Sequence, residues 1–273
     1  MMARALRDVT LRDGLQALPR ILPTEIKVAL YRRLLRAGVQ AFQVASFVSP
    51  KRLPQMADAE AVWEALRPLG GVRDALILNL RGYERARALG VDRLEMVLSL
   101  SEAYERRNAG RGLEEAWGEL GEVAKRAAQE GVHLEVGLAY AWGGEASEDE
   151  VLRAAERAVG LGAGALGLAD TTGRARPEAV HRLVLRVREA LPHLPLRVHL
   201  HEGGLGLENA RAALEAGATA LDATLGGLGG SPFAGEVGGN LAWERLAEAG
   251  LAPLDRQVLE EAWTWLEQDL GHG

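Results

Sequence analysis

The chain has 273 residues, and its hydrophobic content of 48% can fill a large core, which argues against a disordered chain. Its formal net charge of −6 leaves no basic surplus to neutralise phosphates, which argues against a nucleic-acid partner. It has no cysteine, so disulfides and thiolate metal sites are excluded, and no apolar run has the length of a signal-peptide core at the start or of a transmembrane helix anywhere.

One pattern recurs along the chain: a helical stretch ends at a glycine, and a short apolar run follows it. A glycine after a helix supplies the left-handed conformation that ends it. Apolar runs rich in β-branched residues are typical of buried parallel strands. The pattern predicts five strands, at residues 39–46, 91–99, 132–140, 164–169 and 218–224. Three further strand candidates, at residues 6–10, 72–79 and 194–200, bring the number to eight.

Helical segments are predicted between these strands and after the last one. They lie at about 23–37, 56–67, 81–89, 112–130, 147–160, 176–191, 205–216 and 240–249, and an amphipathic segment follows at 254–270. Eight strand-helix units of roughly 34 residues each suit a (β/α)₈ TIM barrel. We therefore expect one α/β domain over residues 1–273, a TIM barrel with an extra C-terminal helix, and a doubly wound sheet is the alternative.

Polar residues follow most of the predicted strands. In a (β/α)₈ barrel the carboxyl ends of the strands meet at one rim, which carries the active site. We therefore expect these side chains to converge there: Arg12 and Asp13 after the first strand, Gln43 and Ser46 at the second, Asn79 at the third, Asp170 after the sixth, and His199 and His201 at the seventh.

His199 and His201 lie two residues apart at the end of a predicted strand, so both imidazoles face the same side. Two histidines, the Asp13 carboxylate and the Asn240 amide oxygen form a mixed nitrogen and oxygen set that suits Mg²⁺ or Mn²⁺. Glu202 either orients a histidine from behind or is solvated.

Arg12 is either a surface ion-pair residue or a fixed positive charge that faces a developing oxyanion. Asp170 either caps the barrel rim or orients Arg12 or the substrate. The glycine-dense stretch that starts at Gly226 and precedes Asn240 matches neither nucleotide-binding fingerprint. It fits a mobile lid better than a phosphate cradle.

These motifs resemble those of the hydroxymethylglutaryl-CoA lyase family. The resemblance covers about residues 5–250, and the segment from Ser46 through Asp58 is its most discriminating stretch. The other matching segments begin at Arg12, Asn79, Asp170, His199 and Gly226.

The resemblance implies a divalent metal, Mg²⁺ or Mn²⁺, bound by Asp13, His199, His201 and Asn240. It implies cleavage of 3-hydroxy-3-methylglutaryl-CoA to acetyl-CoA and acetoacetate, with Arg12 stabilising the thioester enolate. Asp170, His199 and Ser231 complete the expected catalytic set. The acyl-CoA substrate is expected to contact Gln43 and Asn79, and its CoA phosphates Arg106 and Arg107 with Asn108 nearby.

Three positions depart from the family pattern. Ser231 stands where the family has a cysteine, Gln43 where it has a glutamate on the second strand, and Glu202-Gly203-Gly204 replaces an Asp-Thr-type sequence. Two alternatives therefore stay open: an aldolase or condensing enzyme on a related hydroxy or keto acid, and a degenerate barrel without turnover. We also expect a cytoplasmic homo-oligomer with neither a nucleic-acid nor a membrane partner.

Overall fold

A computed structural model describes residues 5–230 and 238–271. Eight parallel strands close into a barrel in which each strand pairs with the next along the chain and β1 pairs with β8. Because the sheet closes on itself, the doubly wound alternative is wrong. The strands are β1 (Ala5–Asp8), β2 (Ala41–Ser46), β3 (Val72–Ile77), β4 (Arg93–Ser99), β5 (His133–Ala139), β6 (Ala165–Ala169), β7 (Leu196–His199) and β8 (Ala220–Ala223).

Helices surround the barrel, and the predicted (β/α)₈ fold with an extra C-terminal helix is confirmed. In the described ranges none of them is long and apolar enough to cross a membrane. The α-helices are α1 (Thr24–Arg36), α2 (Ala59–Leu66), α3 (Leu80–Ala88), α4 (Glu102–Asn108), α5 (Leu113–Glu130), α6 (Glu148–Gly160), α7 (Pro177–Ala190), α8 (Gly206–Glu215), α9 (Trp243–Glu248) and α10 (Arg256–Gly271).

Two differences from the predicted elements lie near the rim formed by the carboxyl ends of the strands. The first strand ends at Asp8, because Thr10–Gly14 winds into a π-helical turn in which the Gly14 amide donates to the Val9 carbonyl at 3.1 Å. The short helix α4 follows β4 and was missed, since seven residues are too few to show a helical repeat. The turn and α4 both lie beyond strand ends, where the site is built.

The barrel interior is unusually polar. The Arg7 guanidinium lies at its centre and is 1% exposed. It donates to Asp222 through two bonds of 2.9 Å, to Glu95 at 2.9 Å and to Asp74 at 3.1 Å. Glu135 accepts two further bonds, of 2.8 and 3.0 Å, from Arg197. Charged pairs, rather than the layers of branched apolar side chains common in such barrels, therefore fill the space below the rim.

The C-terminal helix α10 packs against α1 and against the start of the glycine-dense stretch. At Gly226, which has a φ of +61°, an added Cβ atom would overlap the ring of Trp263. Glycine is therefore required here both by the backbone conformation and by the tryptophan packed on it.

Candidate metal centre

Three chain segments bring the predicted metal ligands together. His199 is the last residue of β7, and His201 follows two residues later on the same face. The π-helical turn after β1 carries Asp13, and Asn240 forms an isolated bridge with His201. One nitrogen each from His199 and His201 and one carboxylate oxygen of Asp13 lie within 4.8 Å of one another.

Two buried polar atoms at this centre have no hydrogen-bond partner among the described residues: His201 Nε2 and Asn240 Oδ1. The Nδ1 atom of His201 lies 2.7 Å from the Asp170 carbonyl oxygen, which can only accept, so Nδ1 holds the proton and Nε2 has a free lone pair. The Asn240 amide nitrogen donates to Asp13 Oδ2 at 2.6 Å and to the Leu228 carbonyl at 2.9 Å. Unpaired buried acceptors are costly, and a bound cation would satisfy both.

At His201 and Asp13 the electrostatics favour the protonation states that a metal needs. Burial and the neighbouring His199 lower the pKa of His201 to about 4, so its imidazole is neutral at pH 7. Burial alone would raise the pKa of Asp13, but Arg12, His199 and the Asn240 hydrogen bond outweigh it and lower it. Metal ligands must be deprotonated, and both groups meet that requirement.

Asp222 fixes the ring of His199 from below. Its Oδ2 atom lies 3.1 Å from His199 Nδ1, and His199 Nε2 lies 4.0 Å from Asp13 Oδ2. Burial opposes ionisation of Asp222, but Arg7 and the His199 bond hold its pKa well below the ordinary value. Burial likewise lowers the pKa of His199, yet Asp222 and Asp13 outweigh it and raise it. A carboxylate behind a histidine sets its tautomer and ring orientation.

Arg12 is held on two sides at the edge of the centre. Its Nη1 atom pairs with the Asp13 carboxylate, and its Nε donates to Gln43 Oε1 at 2.5 Å. The Gln43 amide nitrogen donates in turn to Glu95 at 2.6 Å and to Asp74 at 2.8 Å. Because a carboxylate only accepts, these two bonds fix which way the amide points and present its oxygen to Arg12.

A cavity runs from the rim down into the barrel beside these groups. Ser49, Arg52 and Asn108 line its mouth, and Glu95 and Arg197 lie at its floor. Arg52 donates to the Asn108 carbonyl at 2.8 Å, which holds the end of α4 against the segment after β2. Gly137 and Gly167 also line the cavity and leave the floor open.

Sequence reasoning missed Glu95, Asp222 and Arg52. The first two lie within apolar strands, where an isolated acid is itself the signal of a buried, paired charge. Arg52 follows β2 on the rim, but nothing in the sequence marks it apart from its neighbours.

Other predicted site residues have different surroundings. The Asp170 carboxylate accepts from the amides of Arg174 and Ala175 at 3.1 Å, so it shapes its own loop. Asn79 caps α3 by accepting from the Gly82 amide, and its side chain also lines the cavity. Arg106 is exposed and pairs with Glu102, and Arg107 is exposed as well.

Glu202 pairs with Arg245 rather than with a histidine. Ser231, expected to be catalytic, lies outside the described residues. On the described side of the glycine-dense stretch, Gly229 has a φ of +120°, and an added Cβ would overlap the Asn240 amide and approach Asp13 Oδ2 to 2.9 Å. Only glycine allows the backbone to come this close to two of the predicted ligands.

Comparisons with known proteins agree with this geometry. The family model described as HMGL-like matches residues 3–256. The (R)-citramalyl-CoA lyase of Chloroflexus aurantiacus is 37% identical over 292 residues, which cover 99% of this chain and 92% of that protein. The cytoplasmic 3-hydroxy-3-methylglutaryl-CoA lyase of Homo sapiens is 33% identical over 245 residues, 88% of this chain and 66% of that protein.

Among solved structures, an HMG-CoA lyase from Acinetobacter baumannii in complex with coenzyme A and 3-methylmalate matches with a TM-score of 0.90 at 34% identity. The match covers 98% of this chain and 91% of that one. A hydroxymethylglutaryl-CoA lyase from Pseudomonas aeruginosa matches with a TM-score of 0.88 at 30% identity, over 98% and 93% of the two chains.

Proposed function

This chain belongs to the HMGL-like family and is a carbon–carbon lyase of CoA thioesters, and we propose that its substrate is 3-hydroxy-3-methylglutaryl-CoA, cleaved to acetyl-CoA and acetoacetate. The observation that carries the proposal is a pair of buried atoms, His201 Nε2 and Asn240 Oδ1, which lie beside Asp13 and His199 and have no partner in the described part of the chain. A bound cation would satisfy both acceptors at once. This group of residues borders a cavity that Arg12 also lines.

The proposed metal is Mg²⁺ or Mn²⁺, with Asp13, His199, His201 and Asn240 as its ligands. Such an ion would supply Lewis acidity that lowers the pKa of the substrate's tertiary hydroxyl. The protein would keep the ligands in place through bonds behind them. The Asp170 carbonyl holds His201, Asp222 holds His199, and Asp13 and Asn240 hold each other.

Cleavage leaves negative charge on the thioester oxygen, and Arg12 is the residue proposed to stabilise it. When the hydroxyl proton leaves, the electrons of the bond between C2 and C3 pass to the thioester and form an enolate, and the acid half departs as a ketone. A guanidinium fixed by Gln43 and Asp13 needs no reorganisation to meet that charge. At the mouth, Arg52, Arg106 and Arg107 supply positive charge for the CoA phosphates.

(R)-Citramalyl-CoA is the second candidate substrate. It is favoured by one observation: the relative of that name is more similar over more of the chain than the human lyase is. The two thioesters differ by one methylene between the carbinol carbon and the carboxylate, and a single methylene is worth only about 1–3 kcal/mol of discrimination.

The test incubates the protein with Mg²⁺ or Mn²⁺ and each thioester in turn. Acetoacetate from the first substrate, at a kcat/KM above that for pyruvate from the second, supports the proposal. The reverse ratio assigns the chain to citramalyl-CoA. If neither thioester is cleaved, the aldolase and the inactive-barrel alternatives replace both.

A further inference from the structure

One carboxyl oxygen of Glu95 accepts two hydrogen bonds, and the other faces the cavity. Its side chain extends inward from β4 and is 7% exposed. Oε2 accepts from Arg7 at 2.9 Å and from Gln43 at 2.6 Å. Oε1 lies across from Gly137 and Gly167, where an added Cβ on Gly137 would overlap it and one on Gly167 would lie 3.6 Å away. The two glycines therefore leave open the space that this oxygen faces.

The carboxyl group lies next to the proposed oxyanion stabiliser. A single side chain, Gln43, bonds to Glu95 through its nitrogen and to Arg12 through its oxygen. Glu95 and Arg12 both line the cavity that holds the metal centre. A thioester whose oxygen meets Arg12 therefore has its α-carbon near the floor of the cavity, where Glu95 lies.

The surroundings of Glu95 favour its protonated form. Burial raises its pKa, Arg7 and Arg12 oppose this, and Glu135 and Asp222 add to the rise. The other charged groups in this layer are Asp74, which shares the Gln43 nitrogen and Arg7, and Arg197, which pairs with Glu135. The net effect is upward, so the carboxyl group can hold a proton at a higher pH than an exposed glutamate does.

We propose that Glu95 is a catalytic residue that gives its proton to C2 of the acetyl-CoA enolate after the carbon–carbon bond breaks. The step rests on the proposed function. The carboxyl O–H bond breaks, a C–H bond forms at C2, and the enolate becomes the methyl group of acetyl-CoA. Glu95 is left as a carboxylate and regains a proton from solvent as products leave, which balances the proton lost by the substrate hydroxyl.

The reverse step gives a test that does not depend on the identity of the acid substrate. An ionised Glu95 should remove a proton from the methyl group of bound acetyl-CoA, so in D₂O with Mg²⁺ the protein exchanges these protons for deuterium, which NMR follows. We expect the exchange rate to rise with pH and the cleavage rate to fall with pH, with the same midpoint. Exchange needs the ionised carboxylate of Glu95, and cleavage needs its protonated form.

Glu95→Gln is close in size and keeps an acceptor for Arg7. We expect it to lower both the exchange rate and kcat for cleavage by at least about 100-fold, with KM within about threefold. The matched control is Glu135→Gln, a carboxylate buried in the same layer that pairs with Arg197 and does not line the cavity. Its limiting rates, cleavage at low pH and exchange at high pH, should stay within about threefold of the parent protein, while the pH midpoint moves down because the Glu135 charge helps to raise the pKa of Glu95. Mn²⁺ binding and thermal unfolding show that both variants are folded.

The outcomes separate the two proposals. If the parent protein cleaves a thioester and Glu95→Gln exchanges at the parent rate, the role of Glu95 is wrong and the proposed function stands. If Glu95→Gln does not fold, the pH profiles of the parent protein still test the proposal. Rates of cleavage and exchange that change in the same direction with pH overturn it. A parent protein that neither cleaves nor exchanges overturns both.

Discussion

At the level of single residues, the candidate centre is marked by atoms that have no hydrogen-bond partner within residues 5–230 and 238–271. Most buried polar atoms in proteins are hydrogen-bonded, so two acceptors without a partner in one small volume indicate a site that could hold a cation. His201 Nε2 and Asn240 Oδ1 are such acceptors, and the other polar atoms of both side chains are engaged. Each residue is thus oriented by its own bonds to point one ligand atom inward.

Replacing His201 by alanine should therefore abolish metal binding without unfolding the barrel. We expect Mn²⁺ affinity to fall at least about 100-fold, measured by calorimetry, while the thermal transition without metal stays cooperative. The matched control is His193→Ala, an exposed histidine between α7 and β7, whose Mn²⁺ affinity should not change. Unchanged binding in His201→Ala would show that the ligand set is wrong.

Gln43 stands where the family pattern has a glutamate, and its surroundings in this structure explain the difference. A glutamate here would lose both donors and place a third carboxylate beside Asp74 and Glu95 in a fully buried position. We expect Gln43→Glu to cost about 3 kcal/mol of unfolding free energy at pH 8, measured with denaturant. The cost should shrink at pH 5, because the crowded carboxyl groups take up a proton there.

Two further variants test that explanation. Gln40→Glu makes the same chemical change at an exposed position just before β2 and should have almost no effect on unfolding. Adding Asp74→Asn to Gln43→Glu removes one of the facing charges and should recover part of the lost stability. A double variant as unstable as the single one would refute charge crowding as the cause.

Residue types and spacing predicted which residues meet at the candidate metal centre, because their signal is local: two histidines on one strand face, and acids and amides at strand ends. Glu95 and Asp222 were not predicted, because each is a lone acid in an apolar strand whose partners lie far away in sequence. Arg7, for example, contacts carboxylates 67, 88 and 215 residues distant. Only the closed barrel brings those groups together.

At the level of elements, a buried carboxylate joins the two segments that bring Asp13 and Asn240 to the centre. Asp8, the last residue of β1, accepts from the Thr10 hydroxyl at 2.6 Å and from the Trp243 indole at 2.7 Å. Thr10 begins the π-helical turn that carries Asp13, and Trp243 begins α9 three residues after Asn240. Asp8 thereby fixes the relative position of both segments.

Asp8 also makes stability depend on pH. Burial raises its pKa to about 7, against hydrogen bonds from Thr10 and Trp243 that lower it. The folded state therefore holds a proton that the unfolded chain releases near pH 4, so this contribution to stability is full below about pH 4 and is lost as pH rises to about 7.

Asp8→Asn removes this titration and one acceptor oxygen. We expect the variant to be less stable than the parent protein by about 2 kcal/mol at pH 5, with the gap narrowing at pH 8, both measured by denaturant unfolding. Asp92→Asn, at an exposed carboxylate, is the matched control. A gap that widens from pH 5 to pH 8 would contradict the assignment to Asp8.

The order and type of the main elements were predictable, because each helix and buried strand has its own periodicity and a glycine often separates them. The left-handed Gly131 that ends α5, with a φ of 67°, is one such signal. The π-helical turn was not predictable, since its extra residue per turn is imposed by the Asp8 and Thr10 bonds and not by local propensity. The predicted lid in the glycine-dense stretch stays a prediction, because residues 231–237 lie outside the described ranges.

At the level of the whole molecule, the charge distribution opposes a polyanionic substrate except at the cavity mouth. The chain has a net charge of −6, while CoA carries several phosphate charges. Arg52 lines the mouth together with Asn108, the last residue of α4, and α4 also carries the exposed Arg107 and Arg106, of which Arg106 pairs with Glu102. A local basic cluster on an acidic molecule attracts an anion only to that place, and salt screens the attraction.

Replacing both Arg106 and Arg107 by alanine should raise KM for the thioester about tenfold at low salt, with kcat almost unchanged. The difference should shrink at high salt, because exposed charges are screened within a Debye length of about 10 Å at 0.1 M. A matched control is the double variant Arg182→Ala and Arg186→Ala on α7, which removes two charges away from the cavity lining. Equal KM values for the two double variants at low salt would rule out this role of α4.

The homo-oligomer expected from the sequence stays a prediction, which analytical ultracentrifugation would test by sedimentation.

The contact between Trp263 and Gly226 links the C-terminal helix α10 to the rim of the cavity. The match to the family model ends at residue 256, where α10 begins, so Trp263 lies outside the matched segment. It nevertheless rests on the first glycine of the stretch that leads to Asn240. Substitutions in α10 can therefore shift the backbone that leads to Asn240, and with it the rim of the cavity, without changing any of the four proposed metal ligands.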